Sequence, residues 1–229
     1  MFPTTRWTLI LASRAGTEAR RSALEQLLTV YWKPVYLYVR RKGFDIPDAE
    51  DAVQGFFARL LERDFLTPLD PGKGRFRGYL KTAVDHYLVN LHGHATALKR
   101  GGDVRFVPLD AVLVERDFAQ APEDPDLAYD REWALGVMER ALTRLRKEYV
   151  EGRRRGDVQT VVKFFGLEGA PSYAEAAAAS GMTVSQFKAS LHRARARFRE
   201  LLRDEVADTV GDESEAGSEM AELVRILRA

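Results

Sequence analysis

The sequence contains no cysteine among its 229 residues. Disulfide bonds, thiolate metal sites and cysteine nucleophiles are therefore excluded, and the absence fits a protein of the reducing cytoplasm. No stretch approaches the roughly 20 consecutive apolar residues that span a bilayer. The N-terminal residues also lack the basic and apolar segments of a signal peptide. We therefore expect a cytoplasmic protein that does not insert into membranes.

A strong excess of one charge is also missing, because the net charge is only +1. The charges are nevertheless segregated along the chain. Basic residues dominate residues 183–203, whereas acids dominate residues 101–126 and are the only charged residues in 204–222. A basic block between two acidic ones is more informative about binding partners than the total charge.

Apolar residues recur at the spacing of one helix face through most of the chain, and no strand pattern of any length is present. The sequence therefore predicts an all-α fold with two small helical domains. We expect a first domain over residues 1–100, an acidic, proline-containing linker of little helical period over 101–126, a second domain over 127–208 and an acidic tail over 209–229. Pro34 is expected to kink or restart the first helix, and Gly43 to end it.

Residues 172–203 have the spacing of a helix-turn-helix motif. Ala177 is small where two helices cross, and Gly181 supplies the positive backbone angle of the turn. Thr183 can cap the second helix, and Phe187 faces back onto the first. The start of the second helix offers short or polar groups able to reach base edges in a major groove, namely Ser185, Gln186, Lys188 and Ala189.

Phosphate contacts are expected farther along the same helix, from Arg193, Arg195, Arg197 and Arg199. Because these arginines alternate by two, they spread around the helix, and some must face solvent or the preceding helix. The alternative interpretation of the segment is an ordinary helical hairpin with a solvated basic face.

Residues 48–61 begin with acids, which suit a helix N-terminus. The apolar residues that follow, Phe56, Phe57, Leu60 and Leu61, are most simply buried in a core. On physical grounds alone this segment is a well-capped amphipathic helix.

The same segment resembles the polymerase-binding helix of extracytoplasmic-function sigma factors, small members of the bacterial sigma-70 family. Further segments resemble that family in the correct order. Residues 23–42 are similar to its first helix, 74–83 and 99–102 to the start and end of its promoter-melting helix, 108–110 to the start of its linker, and 173–205 to its upstream-element reader. The resemblance covers nearly the whole chain.

The resemblance implies a subunit that binds core RNA polymerase and directs promoter-specific initiation, with no catalytic residue, no cofactor and no metal. Its expected partners are core RNA polymerase, promoter DNA and an anti-sigma factor or other regulator. The residues implied in polymerase binding are Asp48, Asp51, Gln54, Phe57 and Arg59. Those implied at the minus-ten element are Arg75, Arg77, Lys81, Tyr87, Asn90, Lys99 and Arg100. Those implied at the minus-thirty-five element are Thr183, Ser185, Gln186, Lys188, Ala189, His192, Arg193 and Arg197.

The chain departs from the family between Asn90 and Lys99, where residues 91–98 replace the several arginines that many relatives carry. Basic and aromatic groups there hold melted single strands. Either DNA opening is weakened in this protein, or other residues such as Arg75 and Lys81 perform it.

Two other functions fit parts of the sequence. A stand-alone helix-turn-helix regulator explains residues 172–203 but not the N-terminal domain, and a polymerase-binding module recruited by a partner fits the altered segment 91–98. The acidic tail has three open interpretations: it docks back on the basic helix, binds a regulator or is disordered.

Overall fold

The computed structural model describes residues 18–61, 75–93, 111–152, 158–167, 169–210 and 213–228. All regular secondary structure in these segments is helical, which confirms the predicted all-α class. None of the described helices is both long enough and apolar enough to cross a membrane.

The helices follow one another in short steps along the chain. They are α1 (Glu18–Arg41), α2 (Ile46–Leu61), α3 (Phe76–Gly93), α4 (Ala111–Gln120), α5 (Pro125–Val150), α6 (Val158–Val162) with a following π-helical turn (Lys163–Leu167), α7 (Tyr173–Ala179), α8 (Val184–Ala207) and α9 (Glu213–Arg228).

The described residues form two compact units. One lies within Met1–Gly136 and Ala207–Ala229, and the other is Val137–Val206. These limits differ from the predicted boundaries at 100, 126 and 208. The first unit includes α4, the start of α5 and the C-terminal helix α9, because these elements pack with α1 and α3.

The first unit is built around aromatic side chains of α1, α2 and α3. Tyr31 meets Phe76 edge to face with ring centroids 5.0 Å apart, and Tyr38 meets Tyr129 of α5 at 5.8 Å. Such edge-to-face pairs add to the stabilisation from burial. The helix α1 continues through Pro34, which lies inside it. It ends before Gly43, whose φ of 97° confirms the predicted stop.

The helix α4 corrects the expectation that residues 101–126 have little helical period. Residues 111–120 form a helix because they have an apolar side that packs, with Val114 buried. Glu115 on α4 accepts hydrogen bonds from the Tyr36 hydroxyl at 2.6 Å and from Arg40 Nε and Nη2 at 2.9 Å each. The ring of Phe118 lies 4.4 Å from the Arg40 guanidinium carbon. An acid assigned to a linker is thus bound to α1.

The second unit contains a buried carboxylate near the end of α8. Glu205 on α8 is buried and accepts a hydrogen bond from Arg140 Nε and another from Arg144 Nη1, both at 2.9 Å. Apolar residues along α8, including Phe187, Leu191, Leu201 and Leu202, are also buried. Two guanidinium groups offset the cost of burying one carboxylate.

The contact between α4 and α1 leads to a pH-dependent stability. Hydrogen bonds from Arg40 and Tyr36 hold the pKa of Glu115 below its ordinary value of 4.5. Because the folded pKa is depressed, the stabilisation is present above pH 4.5 and is lost as the pH falls through the folded pKa.

We expect Glu115→Gln to lower the free energy of unfolding at neutral pH by about 1 kcal/mol and to remove part of the loss of stability on acidification. Chemical denaturation at several pH values measures both effects. Glu123→Gln, at an exposed acid, is the control, and an acid profile of Glu115→Gln identical to wild type would contradict the expectation.

Candidate nucleic-acid interface

The helix α7 begins with a reciprocal cap. The backbone N–H of Glu175 donates to Ser172 Oγ at 3.2 Å, and the Ser172 N–H donates to Glu175 Oε2 at 2.8 Å. Hydrogen bonding of the Glu175 carboxyl to the side chain and the backbone N–H of Ser172 lowers the pKa of that carboxyl. A cap of this kind fixes where a short helix starts.

The turn between α7 and α8 is closed by backbone hydrogen bonds. The N–H of Met182 donates to the carbonyl of Ala177 at 2.9 Å, and Gly181 has a φ of 62°. The N–H of Gln186 donates to Thr183 Oγ1 at 3.2 Å, and the Thr183 N–H donates to Gln186 Oε1 at 2.9 Å. The predicted positive φ at Gly181 and the predicted cap at Thr183 are both confirmed.

The inner side of α8 packs against α7 and the π-helical turn. Phe187 is buried, with its ring centroid 5.3 Å from that of Phe164, and Phe164 stacks on Tyr173 at 5.2 Å. Ala177 is also buried. This apolar seam fixes the orientation of α8 about its own axis, so that the residues opposite the seam face away from the core of the unit.

The outer side of the first half of α8 is polar and exposed. The Lys188 ammonium lies 5.1 Å from the centroid of the Tyr173 ring, within the range of a cation–π contact. The exposed residues that the sequence analysis placed at duplex DNA are Thr183, Ser185, Gln186, Lys188, Ala189, His192 and Arg193. They combine hydrogen-bonding groups, small residues and positive charge on a rigid helix.

The arginines farther along α8 differ in their surroundings. Arg193 and Arg199 are exposed. Arg195 donates to the carbonyl of Phe164 at 2.7 Å. Arg197 donates from Nε and Nη2 to Glu148 on α5, with a shortest distance of 2.7 Å, and also pairs with Glu200 at 2.7 Å. The hydrogen bonds with Glu148 and Glu200 raise the pKa of Arg197. Arg197 therefore links α8 to α5 in this conformation, and carboxylates already neutralise its charge.

The helix α2 exposes four of the five residues implied in polymerase binding. Asp48, Asp51, Gln54 and Arg59 lie on its exposed side. Phe57 lies on the opposite side with none of its surface exposed, and its ring centroid is 5.3 Å from that of Phe56. A partner can contact the first four directly, whereas Phe57 supports the shape of the helix from inside.

The first turns of α3 bring three cations to an open cleft of about 590 Å3, which is lined by Arg75, Arg77, Tyr79, Lys81 and Thr82 among others. Lys81 pairs with Asp126 at 3.1 Å. Arg77 pairs with Asp130 and with Glu219, and its guanidinium carbon lies 4.5 Å from the Trp133 ring centroid. Burial lowers the pKa of Arg77, but the charges of Glu219 and Asp130 outweigh this effect and raise it overall.

The remaining minus-ten residues are placed differently from one another. Asn90 is exposed. Tyr87 is almost fully buried, with its ring edge to face with Phe56 at 5.6 Å. Its hydroxyl lies where a Cβ atom on Gly55 would be, so α2 and α3 approach closely at that glycine. Lys99 and Arg100 lie outside the described residues, as does most of the altered segment 91–98.

Sequence reasoning missed the acids that meet the α3 cations, namely Asp126, Asp130 and Glu219. The tail that carries Glu219 forms the helix α9, and this helix contacts α3 through Glu219 and Arg77. A signal was present, because Glu219 stands between Ala216 and Leu223 at the spacing of one apolar helix face. An acid at the centre of such a face indicates a buried partner of opposite charge.

No family model matches this chain, and no curated protein or solved structure matches it either. The described residues contain no group of three or more acidic or histidine side chains arranged to hold a metal ion.

The geometry of the turn predicts a destabilising glycine substitution. We expect Gly181→Ala to lower the free energy of unfolding by about 1 kcal/mol, because a side chain at positive φ is strained although space for the Cβ atom is open. Gly217→Ala on α9 is the matched control, since Gly217 is helical, exposed and also has open space. There alanine should stabilise the helix by up to about 1 kcal/mol. Thermal or chemical unfolding of the two variants measures the difference, and equal effects would contradict the strained turn.

Proposed function

We propose that this protein is a sigma-type initiation subunit, which binds core RNA polymerase and directs it to promoters. In this proposal the chain has two helical domains, and α7 and α8 form a helix-turn-helix that reads duplex DNA. The resemblance of successive segments to extracytoplasmic-function sigma factors supports the subunit role. The geometry of the α7–α8 pair supports DNA reading.

The observation that carries the proposal is the exposed outer side of α8. The reciprocal cap between Thr183 and Gln186 and the turn at Gly181 fix the start of this helix, and Phe187 holds its inner side. The outer side then offers Ser185, Gln186 and Lys188 to a groove. A rigid helix with polar groups near its N-terminus is the usual reader of base edges in the major groove.

The first unit offers two further surfaces that fit the proposal. The exposed side of α2 carries Asp48, Asp51, Gln54 and Arg59, a mixed polar surface suited to a protein partner. The cleft beside α3 carries Arg75, Arg77 and Lys81 together with Tyr79, a combination that suits phosphate contact and base stacking.

The mechanism in this proposal is binding alone. Side chains on α8 select the upstream element, α2 attaches the protein to polymerase, and the α3 cleft engages the melted strand. The polymerase performs the chemistry, so no residue of this chain acts as a nucleophile or a general base.

Promoter choice can be tested at Gln186 and Lys188. In the cap of α8, Gln186 uses its amide oxygen, which a glutamate can replace. We therefore expect Gln186→Glu to keep the fold while removing the amide donor and repelling phosphates, so that promoter preference changes. Lys188→Ala should weaken the promoters that carry its preferred base by about tenfold and relax the preference at that position, since one base-edge contact contributes roughly 1–3 kcal/mol. Run-off transcription with purified core RNA polymerase on promoter fragments measures both.

The control for Lys188→Ala is Lys147→Ala, an exposed lysine on α5. If no transcript depends on the protein but it still shifts duplex DNA, the stand-alone regulator replaces the sigma proposal. If neither variant changes transcription, α8 is not the reader.

Polymerase attachment can be tested at the exposed acid Asp51. We expect Asp51→Arg to weaken binding to core RNA polymerase about tenfold, because reversing a charge at a complementary interface turns attraction into repulsion. Glu139→Arg makes the same change at an exposed position of α5 and should leave affinity unchanged. Co-sedimentation or fluorescence titration with core polymerase measures the affinity, and equal binding of the two variants would exclude α2 as the docking surface.

A further inference from the structure

The C-terminal helix α9 carries a charged residue at the centre of its buried side. Ala216 and Leu223 are buried, and Glu219 between them has none of its surface exposed. A carboxylate removed completely from water is strongly unfavourable unless cations meet it. The position of α9 therefore depends on the groups that pair with Glu219.

Those groups are the two arginines at the start of α3. Arg75 Nη1 lies 2.5 Å from Glu219 Oε2, and Arg77 Nε lies 3.1 Å from Glu219 Oε1. Arg75 also donates from Nη2 to Ser218 Oγ at 3.0 Å. Glu219 and Arg77 are 142 residues apart in the sequence but belong to the same compact unit. One turn of α9 thus pairs with both arginines that the proposed function assigns to melted promoter DNA; it leaves 33% of the Arg75 side chain exposed, whereas Arg77 is buried.

The rest of Arg77 is covered by α5, so that only 8% of the residue is exposed. Its guanidinium contacts Trp133 and pairs with Asp130, and its carbonyl accepts a hydrogen bond from the Tyr129 hydroxyl at 3.1 Å. Glu219 and Asp130 occupy Nε and Nη1 of this guanidinium, so little of it remains open to a nucleic-acid phosphate. Carboxylate and phosphate are both anionic acceptors for guanidinium groups, and here Glu219 accepts one nitrogen from each arginine.

We propose that α9 is an autoinhibitory helix, in which Glu219 stands in for a nucleic-acid phosphate on Arg75 and Arg77. DNA and α9 then compete for the same two arginines, and α9 must leave before α3 can bind a melted strand. This inference rests on the proposed function, since it concerns the α3 site named there.

An attached helix suits such competition. Because α9 is part of the chain, its effective concentration at α3 is high even when the contact itself is weak. A DNA strand bound by polymerase brings several phosphates at once and can displace it. The competition is therefore set by one carboxylate and a short apolar face, which a few substitutions can alter.

The test compares Glu219→Ala with Glu222→Ala in the full chain. Both remove one negative charge from α9 and lie one turn apart, but Glu222 is partly exposed and pairs with Arg225 at 2.7 Å. Fluorescence anisotropy with a labelled single-stranded oligonucleotide measures affinity at several salt concentrations. We expect Glu219→Ala to bind about tenfold more tightly, within the usual range of coupling between competing sites. Its salt dependence should be steeper by about 1.4 in the log–log slope, the contribution of two more single-strand phosphate contacts.

A second variant distinguishes the release of α9 from a folding defect caused by Glu219→Ala. Leu223→Ser weakens the apolar contact of α9 without touching an ion pair, and it should give the same gain in affinity and slope. Adding Arg75→Gln to Glu219→Ala should remove much of the gain, because one of the released cations is then absent. Circular dichroism of each variant verifies that the helical content is kept.

The outcomes separate this inference from the proposed function. If Glu219→Ala and Leu223→Ser bind the oligonucleotide no more tightly than wild type, the autoinhibitory role of α9 is overturned, even when the protein directs transcription with core polymerase. If both variants gain affinity but no version of the protein binds core polymerase, the sigma proposal fails while the pairing of α9 with Arg75 and Arg77 stands.

Discussion

Burying a carboxylate in a helical core is unfavourable unless a cation reaches it, and this constraint applies in both units of the molecule. In the second unit Glu205 of α8 is held by Arg140 and Arg144. In the first unit Glu219 of α9 is held by Arg75 and Arg77. Removing one partner of such a group leaves an uncompensated buried charge, which costs about 3–5 kcal/mol. These contacts therefore specify which helices must meet, beyond what apolar packing alone requires.

The same constraint divides the basic side chains into two kinds. Arg197 and Arg77 are committed to carboxylates inside their own units, whereas Arg193 and Lys188 remain exposed on α8. A count of basic residues cannot separate these kinds, because a paired arginine contributes no net charge to an approaching phosphate. Under the proposed function, the surface that attracts DNA is consequently smaller than the basic block of residues 183–203 suggests.

Features that depend on neighbours in sequence were predictable, and features that depend on distant pairing were not. The end of α1 at Gly43 and the turn at Gly181 follow from residues within a few positions. In contrast, α4 was missed because its helix is fixed by Glu115 meeting Tyr36 and Arg40, 79 and 75 residues away. In the sequence Glu115 looks like a solvated acid of a linker, and only the fold shows that it is bound to α1. The position of the tail could not be predicted for the same reason, because it depends on the pairing of Glu219 with Arg77, 142 residues away.

The two proposed DNA-binding surfaces differ in their state in the free chain. The outer side of α8 is exposed and held rigid by local caps, so it needs no rearrangement before it meets duplex DNA. The arginines of α3 pair with Glu219, and under the proposed autoinhibition they bind a melted strand only after α9 is displaced. Under the proposed function, selection of the upstream element then precedes engagement of the melted strand. An intramolecular carboxylate suits this order, because it keeps strong cations from binding nucleic acid non-specifically while leaving the specific reader accessible.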